Sequence, residues 1–414
     1  MLTGPVLCRG CSAPLSTTLA DLGRTPLANG LVSRDKLEGV ARYPLRVVVC
    51  DRCRLVQLDR DLPPASMFSD YLYFSSYSAS WLAHARTYCE AMISRLGLEA
   101  RSRVVEIASN DGYLLKNFVA RGIPCLGIEP AANVAAVAVA SGVPTLVDWF
   151  TKDLAERLRR DFGPADLIVA NNVFAHVPDI HGFVAGIARL LASGGVWTVE
   201  FPHVLRLLAE TQFDTIYHEH VFYFSMLALE PIFARHGLVV SDVDELPTHG
   251  GSLRLHVRHS GSAADISAAV HAVRAAESAA GLGDGSAYAG FQDRIERVCE
   301  GLRRFLSQAR AKHRRVAAYG AAAKGATLLD TAGITTSDIL YVCDGNPHKQ
   351  GLFFPGSGLE VVSPERIATD RPDDVLVLPW NLADEIGRQL GSIVEWKGRL
   401  VRAIPALSVW EPPR

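Results

Sequence analysis

Twice along this chain, short apolar runs alternate with helix-length stretches, and this alternation constrains the fold more than any other feature. The first series runs through Val104–Ile107, a helix from Leu114, Cys125–Ile128, a helix from Asn133, Leu167–Ala170, a helix from about 180 and Val196–Glu200. The second runs through Val316–Tyr319, a helix from Ala323, Leu340–Cys343, Val375–Leu378 and Val401–Ile404. Strands separated by helical crossovers pair in parallel, so the expected class is α/β with two parallel-sheet units. An amphipathic helix is expected over 78–98, and Leu255–Arg258 reads as one more strand. Residues 263–312 read as a long helical stretch interrupted by Gly-Leu-Gly-Asp-Gly.

The N-terminal part lacks this rhythm. Residues 1–66 are short pieces broken by Pro and Gly, with a β-like run at Leu45–Val49. They hold two Cys-x-x-Cys pairs, Cys8/Cys11 and Cys50/Cys53. Two such knuckles complete a tetrahedral thiolate shell, whereas a redox motif needs only one pair. Zinc is the expected ion, and with four sulfur ligands it has no open position for substrate. Unrelated thiol pairs are the alternative. A segment this short and polar buries little core, so a metal would take the core's place. Four other cysteines, Cys89, Cys125, Cys299 and Cys343, are scattered.

At 414 residues the chain suggests two or three domains. Its 42 basic and 44 acidic residues offer no cationic excess for a nucleic acid. No apolar run reaches the ~18 residues of a membrane helix, and no leader is visible, so a cytoplasmic location is expected. Thiols there stay free or bind metal.

The first parallel unit carries the cofactor argument. Residues 104–115 read Val-Val-Glu-Ile-Ala-Ser-Asn-Asp-Gly-Tyr-Leu-Leu. The G-x-G-x-x-G of a dinucleotide site is absent. Glu106 and Asp111 would repel a pyrophosphate but suit an ammonium and ribose hydroxyls, and Gly112 allows close backbone approach. Glu129, before Pro130, ends the second strand, where a carboxylate accepts from a ribose. Asp148, Trp149 and Phe150 stand where the third strand should end, offering an acceptor for an amino group and aromatic faces for a purine. Together these read as an S-adenosylmethionine site. The alternative is an ordinary sheet with surface carboxylates at its loop ends.

The whole chain resembles the sugar C-methyltransferases that modify nucleotide-linked keto-deoxysugars. The resemblance rests on the cysteine pairs, Glu-Ile-x-Ser-Asn-Asp-Gly-x-Leu-Leu (106–115) and Asn-Asn-Val-x-x-His (171–176). It continues in Phe-Asp-x-Ile-Tyr-His-Glu-His-x-x-Tyr-Phe-Ser (213–225), His-Gly-Gly-Ser-Leu-Arg (249–254) and Tyr-Gly-Ala-x-Ala-Lys-Gly (319–325). Ala108 departs from it, standing where many relatives carry glycine. The resemblance implies a class I (Rossmann-like) methyltransferase core, a small N-terminal zinc-binding domain and a second Rossmann-like C-terminal domain. The expected boundaries are 1–66, 67–240 and 241–414. Asn110, Asn171 and Asn172 join the cofactor set, with Ala108 at its backbone.

C-methylation needs a carbon nucleophile, and a sugar carbon becomes one beside a carbonyl once a base removes its proton. Imidazole, with an ordinary pKa of ~6.5, suits that base. The family pattern maps it onto His220, with Glu219 as its orienting partner and Tyr217 as a hydrogen-bond donor. His176 would contact the keto group or its enolate, and Tyr71 and Tyr73 would close the pocket. Lys324 follows a strand and opens a helix among small residues, a setting for an anion. By resemblance that anion is the diphosphate of a dTDP-linked keto-deoxysugar, with Tyr319, His249, Gly250 and Asn381 lining the same cleft. A monomer is expected. Alternatives are zinc on His218 and His220, a C- or O-methyltransferase with a non-sugar acceptor, and a nucleotide-sensing scaffold.

Overall fold

The computed structural model describes residues 6–63, 74–77, 79–262 and 265–412. Tyr71 and Tyr73 lie outside the described residues.

The N-terminal module is an antiparallel sheet of β1 (Thr17–Thr25), β2 (Tyr43–Val49) and β3 (Val56–Leu58). One cysteine knuckle precedes β1, and the other makes the β2–β3 turn.

The central sheet is built from β4 (Val104–Ile107), β5 (Cys125–Ile128), β6 (Thr145–Leu146), β7 (Ala165–Asn171) and β8 (Leu191–Pro202). After β8 the chain makes β9 (Phe222–Tyr223), which leaves this sheet and pairs with β3 of the N-terminal module. It then returns as β10 (Leu238–Leu246) and β11 (Ser252–His259). The seven strands stand in the order β6-β5-β4-β7-β8-β11-β10. β11 runs antiparallel to both its neighbours, and the pairings from β6 to β8 are parallel. Strand order reverses beside β4, so a crevice opens at the carboxyl ends of β4 and β7, where open α/β sheets bind ligands.

This arrangement corrects the expected boundary at 240/241, which cuts through β10. The central sheet runs on to His259. The break went unseen because β10 carries a register shift between Val240 and Asp242, which disrupts the period-two alternation that marks a strand.

Helices Ala268–Ala279 and Phe291–Ala311 lead to the C-terminal unit. The longer one buries Phe291, Ile295, Cys299, Leu302, Leu306 and Ala309, a stripe at three- and four-residue spacing. That stripe joins one core cluster with Val47 and Val56 of the N-terminal sheet and Leu376 and Leu329 of the C-terminal unit. The C-terminal sheet contains β12 (Val316–Tyr319), β13 (Val342–Cys343), β14 (Val361–Val362), β15 (Asp374–Val377), β16 (Arg399–Arg402) and β17 (Ser408–Trp410). Their order is β14-β13-β12-β15-β16-β17, the dinucleotide-fold order, with β17 antiparallel at the edge. Among the described residues, no helix is long and apolar enough to cross a membrane.

Candidate active site and cysteine cluster

The two knuckles repeat one geometry. Ser12 N–H donates to Cys8 O at 2.8 Å, and Arg54 N–H to Cys50 O at 2.9 Å. Each residue after the second cysteine has a left-handed backbone, with φ of 60° at Ser12 and 61° at Arg54. The four sulfur atoms lie within 4.8 Å of one another, and Cys8–Cys53 and Cys11–Cys50 approach to 3.5 Å. A zinc–sulfur bond of ~2.3 Å in a tetrahedron sets sulfur spacings of ~3.8 Å, so the set fits one zinc ion. The Cys53–Cys8 hydrogen bond lowers the Cys8 thiol and raises that of Cys53, so in the absence of an ion the pair shares a proton that a metal would displace. Among the described residues, no other group of three or more His, Cys, Asp or Glu side chains could hold a metal. This removes the His218–His220 metal reading; His218 Nε2–H donates to Pro44 O at 3.2 Å. The scattered cysteines are all buried, and burial pushes the Cys125 and Cys299 thiols up to about 11, which makes them packing residues.

At the crevice, the chain leaving β4 is held in unusual backbone. Ala108, Asn110 and Gly112 have φ of 56°, 50° and 78°, and Asn172 beyond β7 has 54°. At Ala108 a methyl stands where left-handed backbone favours glycine. A Cβ on Gly112 would lie 2.9 Å from Val143 Cγ2, so only glycine closes this turn. Around it are buried polar atoms without partners: Glu106 Oε2, Ser109 Oγ, Asp111 Oδ1, Asn171 Oδ1 and both amide atoms of Asn172. Orphans of this kind are rare in folded proteins, and a cluster at one strand-end crevice marks where a polar ligand sits. Burial, then the charges of Glu129 and Asp111, holds the Glu106 carboxyl well above the usual range. A cationic sulfonium and ammonium beside these acids would relieve that cost, so the residues fit S-adenosylmethionine. Glu129 accepts from Asn110 N–H and Ala131 N–H, each at 2.9 Å. Each of its oxygens retains a second acceptor position for a ribose hydroxyl. Asn110 and Asp111 side chains also accept from Ser75 and Ser76 N–H at 2.9 and 3.0 Å, seating residues 74–77 over the crevice.

The third strand end is revised. Asp148 is half-buried and paired with Arg157 at 2.9 Å. Phe150 packs edge-on against Phe183 at 5.2 Å, within the core below. Trp149 is the more exposed ring, at 43 %.

The histidine cluster lies where residues 213–223 pass between sheets. The short turn Phe213–Thr215 presents the Thr215 carbonyl, which accepts from His220 Nδ1–H at 2.8 Å. His220 Nε2 is therefore the basic nitrogen, and it accepts from Tyr217 O–H at 2.9 Å. His176 donates Nδ1–H to Glu219 O at 2.7 Å, and its ring lies 4.9 Å from that of His220. Burial holds both imidazoles below their ordinary pKa, His220 furthest, so both are neutral at pH 7. Glu219 does not orient His220, contrary to expectation: the turn places a backbone carbonyl there first. The Glu219 carboxylate instead accepts from Asn29 Nδ2 at 2.8 and 2.9 Å. Burial raises its pKa to about 7. Asn29 left no signal in the sequence, because it belongs to another module and lies 190 positions from its partner.

The C-terminal unit meets this site through helix Ala323–Ala332. Thr327 O–H donates to Ile216 O at 3.0 Å, docking the helix between Thr215 and Tyr217. Lys324 Nζ donates to Asn381 Oδ1 at 3.2 Å and His249 O at 3.4 Å, and lies 4.7 Å over the Trp380 ring. Trp380 Nε1–H donates to buried Asp214 at 2.7 Å, and burial raises that carboxyl to about 6. A Cβ on Gly250 would sit 2.3 Å from the Trp380 ring, so glycine permits this junction. The structure thus gathers His249, Gly250, Lys324 and Asn381. Beside them a cavity of about 630 Å³ is lined by residues including Arg206, Gly250, Trp380, Asn381 and Arg402. Tyr319 does not join this group; its hydroxyl donates to Gln389 at 3.2 Å on the exposed side.

Three family models match the chain. Residues 8–68 match the "Putative zinc binding domain", residues 81–243 the "Methyltransferase domain" and residues 247–405 the "C-methyltransferase C-terminal domain". The chain is 37% identical over 399 residues to the "C-methyltransferase NovU" of Streptomyces niveus, covering 96% of this chain and 95% of that one. Solved structures overlap a part of it. An S-adenosylmethionine-dependent methyltransferase from Anabaena variabilis is 14% identical, covering 42% of this chain and 84% of that chain with a TM-score of 0.34. The magnesium protoporphyrin IX methyltransferase of Synechocystis with bound SAH is 12% identical, covering 42% and 82% with a TM-score of 0.34.

Proposed function

The chain belongs to the C-methyltransferase family, and from that premise we propose that it methylates the carbon next to the ketone of a dTDP-linked keto-deoxysugar through an enolate. It is an S-adenosylmethionine-dependent enzyme with a zinc-binding N-terminal module.

The observation that carries the enolate reading is the fixed, neutral state of His220. A buried imidazole whose Nδ1–H is tied to Thr215 O has only Nε2 to offer, and it offers it as a base. An acceptor hydroxyl in O-methylation is already nucleophilic, whereas an α-carbon must first lose its proton. Tyr217, hydrogen-bonded to the same nitrogen, is positioned to donate to a developing oxyanion or to pass the proton on. The His176 ring, 4.9 Å from that of His220, borders the same space. S-adenosylmethionine, when bound, supplies an electrophilic methyl group on its sulfonium. Fixing carbanion and methyl group in line accounts for much of the rate, since positioning alone is worth several kcal/mol.

A nucleotide-linked sugar is supported by the interdomain ground around Lys324. The buried ammonium and Asn381 offer donors to an anionic diphosphate, and the adjoining cavity adds Arg206 and Arg402 beside the carboxylates of Glu210, Glu245 and Asp384. The test is to incubate the enzyme with S-adenosylmethionine carrying a 13C-methyl group and a panel of dTDP-keto-deoxysugars. We expect the label on a ring carbon adjacent to the ketone. Label on oxygen, or transfer to a non-sugar ketone alone, replaces this reading with a small-molecule methyltransferase.

A further inference from the structure

The loop between β1 and β2 belongs to the zinc-bearing module but touches all three units. Gly30 N–H donates to Leu27 O at 3.0 Å, closing a turn around Asn29. Beyond it, Val32 and Phe353 exchange two backbone hydrogen bonds, at 3.0 and 2.8 Å, and Arg34 lies 4.9 Å over the Phe353 ring. The loop is therefore pinned to the C-terminal unit at one end, while Asn29 reaches the central segment.

We infer that Asn29 is a positioning residue of the methyl-transfer site: its amide fixes the carboxylate of Glu219, the residue before His220, and thereby ties the zinc-bearing module to catalysis. The inference rests on the reading that the Tyr217–His220 segment is catalytic. The geometry is specific. Asn29 Nδ2 donates to both carboxylate oxygens, and Glu219 is 4 % exposed. A buried carboxylate needs such donors, because its charged form otherwise has nothing to replace water. The titratable groups of the same segment face elsewhere: His220 is paired with Tyr217 and His218 is turned toward β2, while His176 Nδ1–H is on the Glu219 backbone carbonyl. None of the three histidines is cationic at pH 7, since burial holds each low. Asn29 is thus the donor that favours the anion against burial. Glu219 is anionic above about pH 7 and loses its charge as pH falls through that value. Removing Asn29 moves the transition to higher pH.

The experiment follows kcat/KM against pH for Asn29→Ala, Asn29→Asp and Glu219→Gln, on a dTDP-keto-deoxysugar that the unaltered enzyme methylates. Zinc content and S-adenosylmethionine affinity are measured alongside. A lost hydrogen bond to a charged group predicts that Asn29→Ala moves the acidic limb up by about one pH unit, with about tenfold less kcat/KM at pH 7. Asn29→Asp, which sets a second carboxylate against the first, moves it further. Glu219→Gln removes the limb, and all three variants keep their zinc. Unmoved limbs in both Asn29 variants beside a changed Glu219→Gln overturn the inference. Joint loss of zinc and activity in both Asn29 variants also overturns it, making Asn29 a structural residue of its module. An unaltered profile in Glu219→Gln overturns instead the catalytic reading of the segment.

Discussion

Replacing His220 by Asn lowers kcat by about a thousandfold, within the range a general base contributes, while S-adenosylmethionine binds as before. The separation follows from the architecture. The base hangs from the strand-connecting segment that holds Thr215, whereas the orphaned polar atoms that suit the cofactor stand at the ends of β4 and β7. Asparagine can still donate to Thr215 O, so the segment keeps its turn, but it has no basic nitrogen to set against Tyr217. Steady-state rates and calorimetric cofactor binding on the same preparation check both halves. Activity within tenfold of the unaltered enzyme would show that His220 is not the base and move attention to His176, the other buried imidazole, whose ring lies 4.9 Å away.

Removing the zinc, by chelation or by Cys50→Ser, unfolds the N-terminal module. Zinc in tetrathiolate and related sites contributes on the order of 10 kcal/mol of folding free energy, comparable with the whole stability of a domain. Here the module's own strands have nine, seven and three residues, and the sheet shares a core with helix Phe291–Ala311 and the C-terminal unit. Loss of the ion therefore exposes Leu45, Val47 and Leu58, now buried, and withdraws Asn29 from Glu219. Limited proteolysis should cut within residues 6–63 after chelation but not before, and methyl transfer should fall with the released zinc. A chelated protein that stays protease-resistant and active would show that packing alone holds the module.

Much of the fold was legible because its signals are local. β4, β5 and β12 stand where the apolar runs placed them, since central parallel strands are buried on both faces and read as continuous hydrophobic stretches. The cysteine knuckles were legible for the same reason, their spacing being set by turn geometry. What escaped depends on tertiary pairing. β9 is two residues long and exists because β3 offers an edge, and β10 is disguised by its register shift. At the site, the loop after β4 could be named from residue types, and His220 as the candidate base from the family resemblance. The partners of those groups could not be. Thr215 acts through a carbonyl that every residue possesses, and Asn29 comes from the far end of the chain. Phe150 and Tyr319, expected at ligands from residue type, contact Phe183 and Gln389 within the protein.

Base-generated enolate formation is the central claim, and it is tested most directly by isotope exchange without methyl transfer. The enzyme is held with S-adenosylhomocysteine and a dTDP-keto-deoxysugar in deuterium oxide, and the sugar is followed by proton NMR. The account predicts that the signal of the hydrogen next to the ketone disappears with the unaltered enzyme and persists with His220→Asn. Methyl transfer from S-adenosylmethionine by an enzyme that leaves this hydrogen unexchanged under these conditions would contradict it.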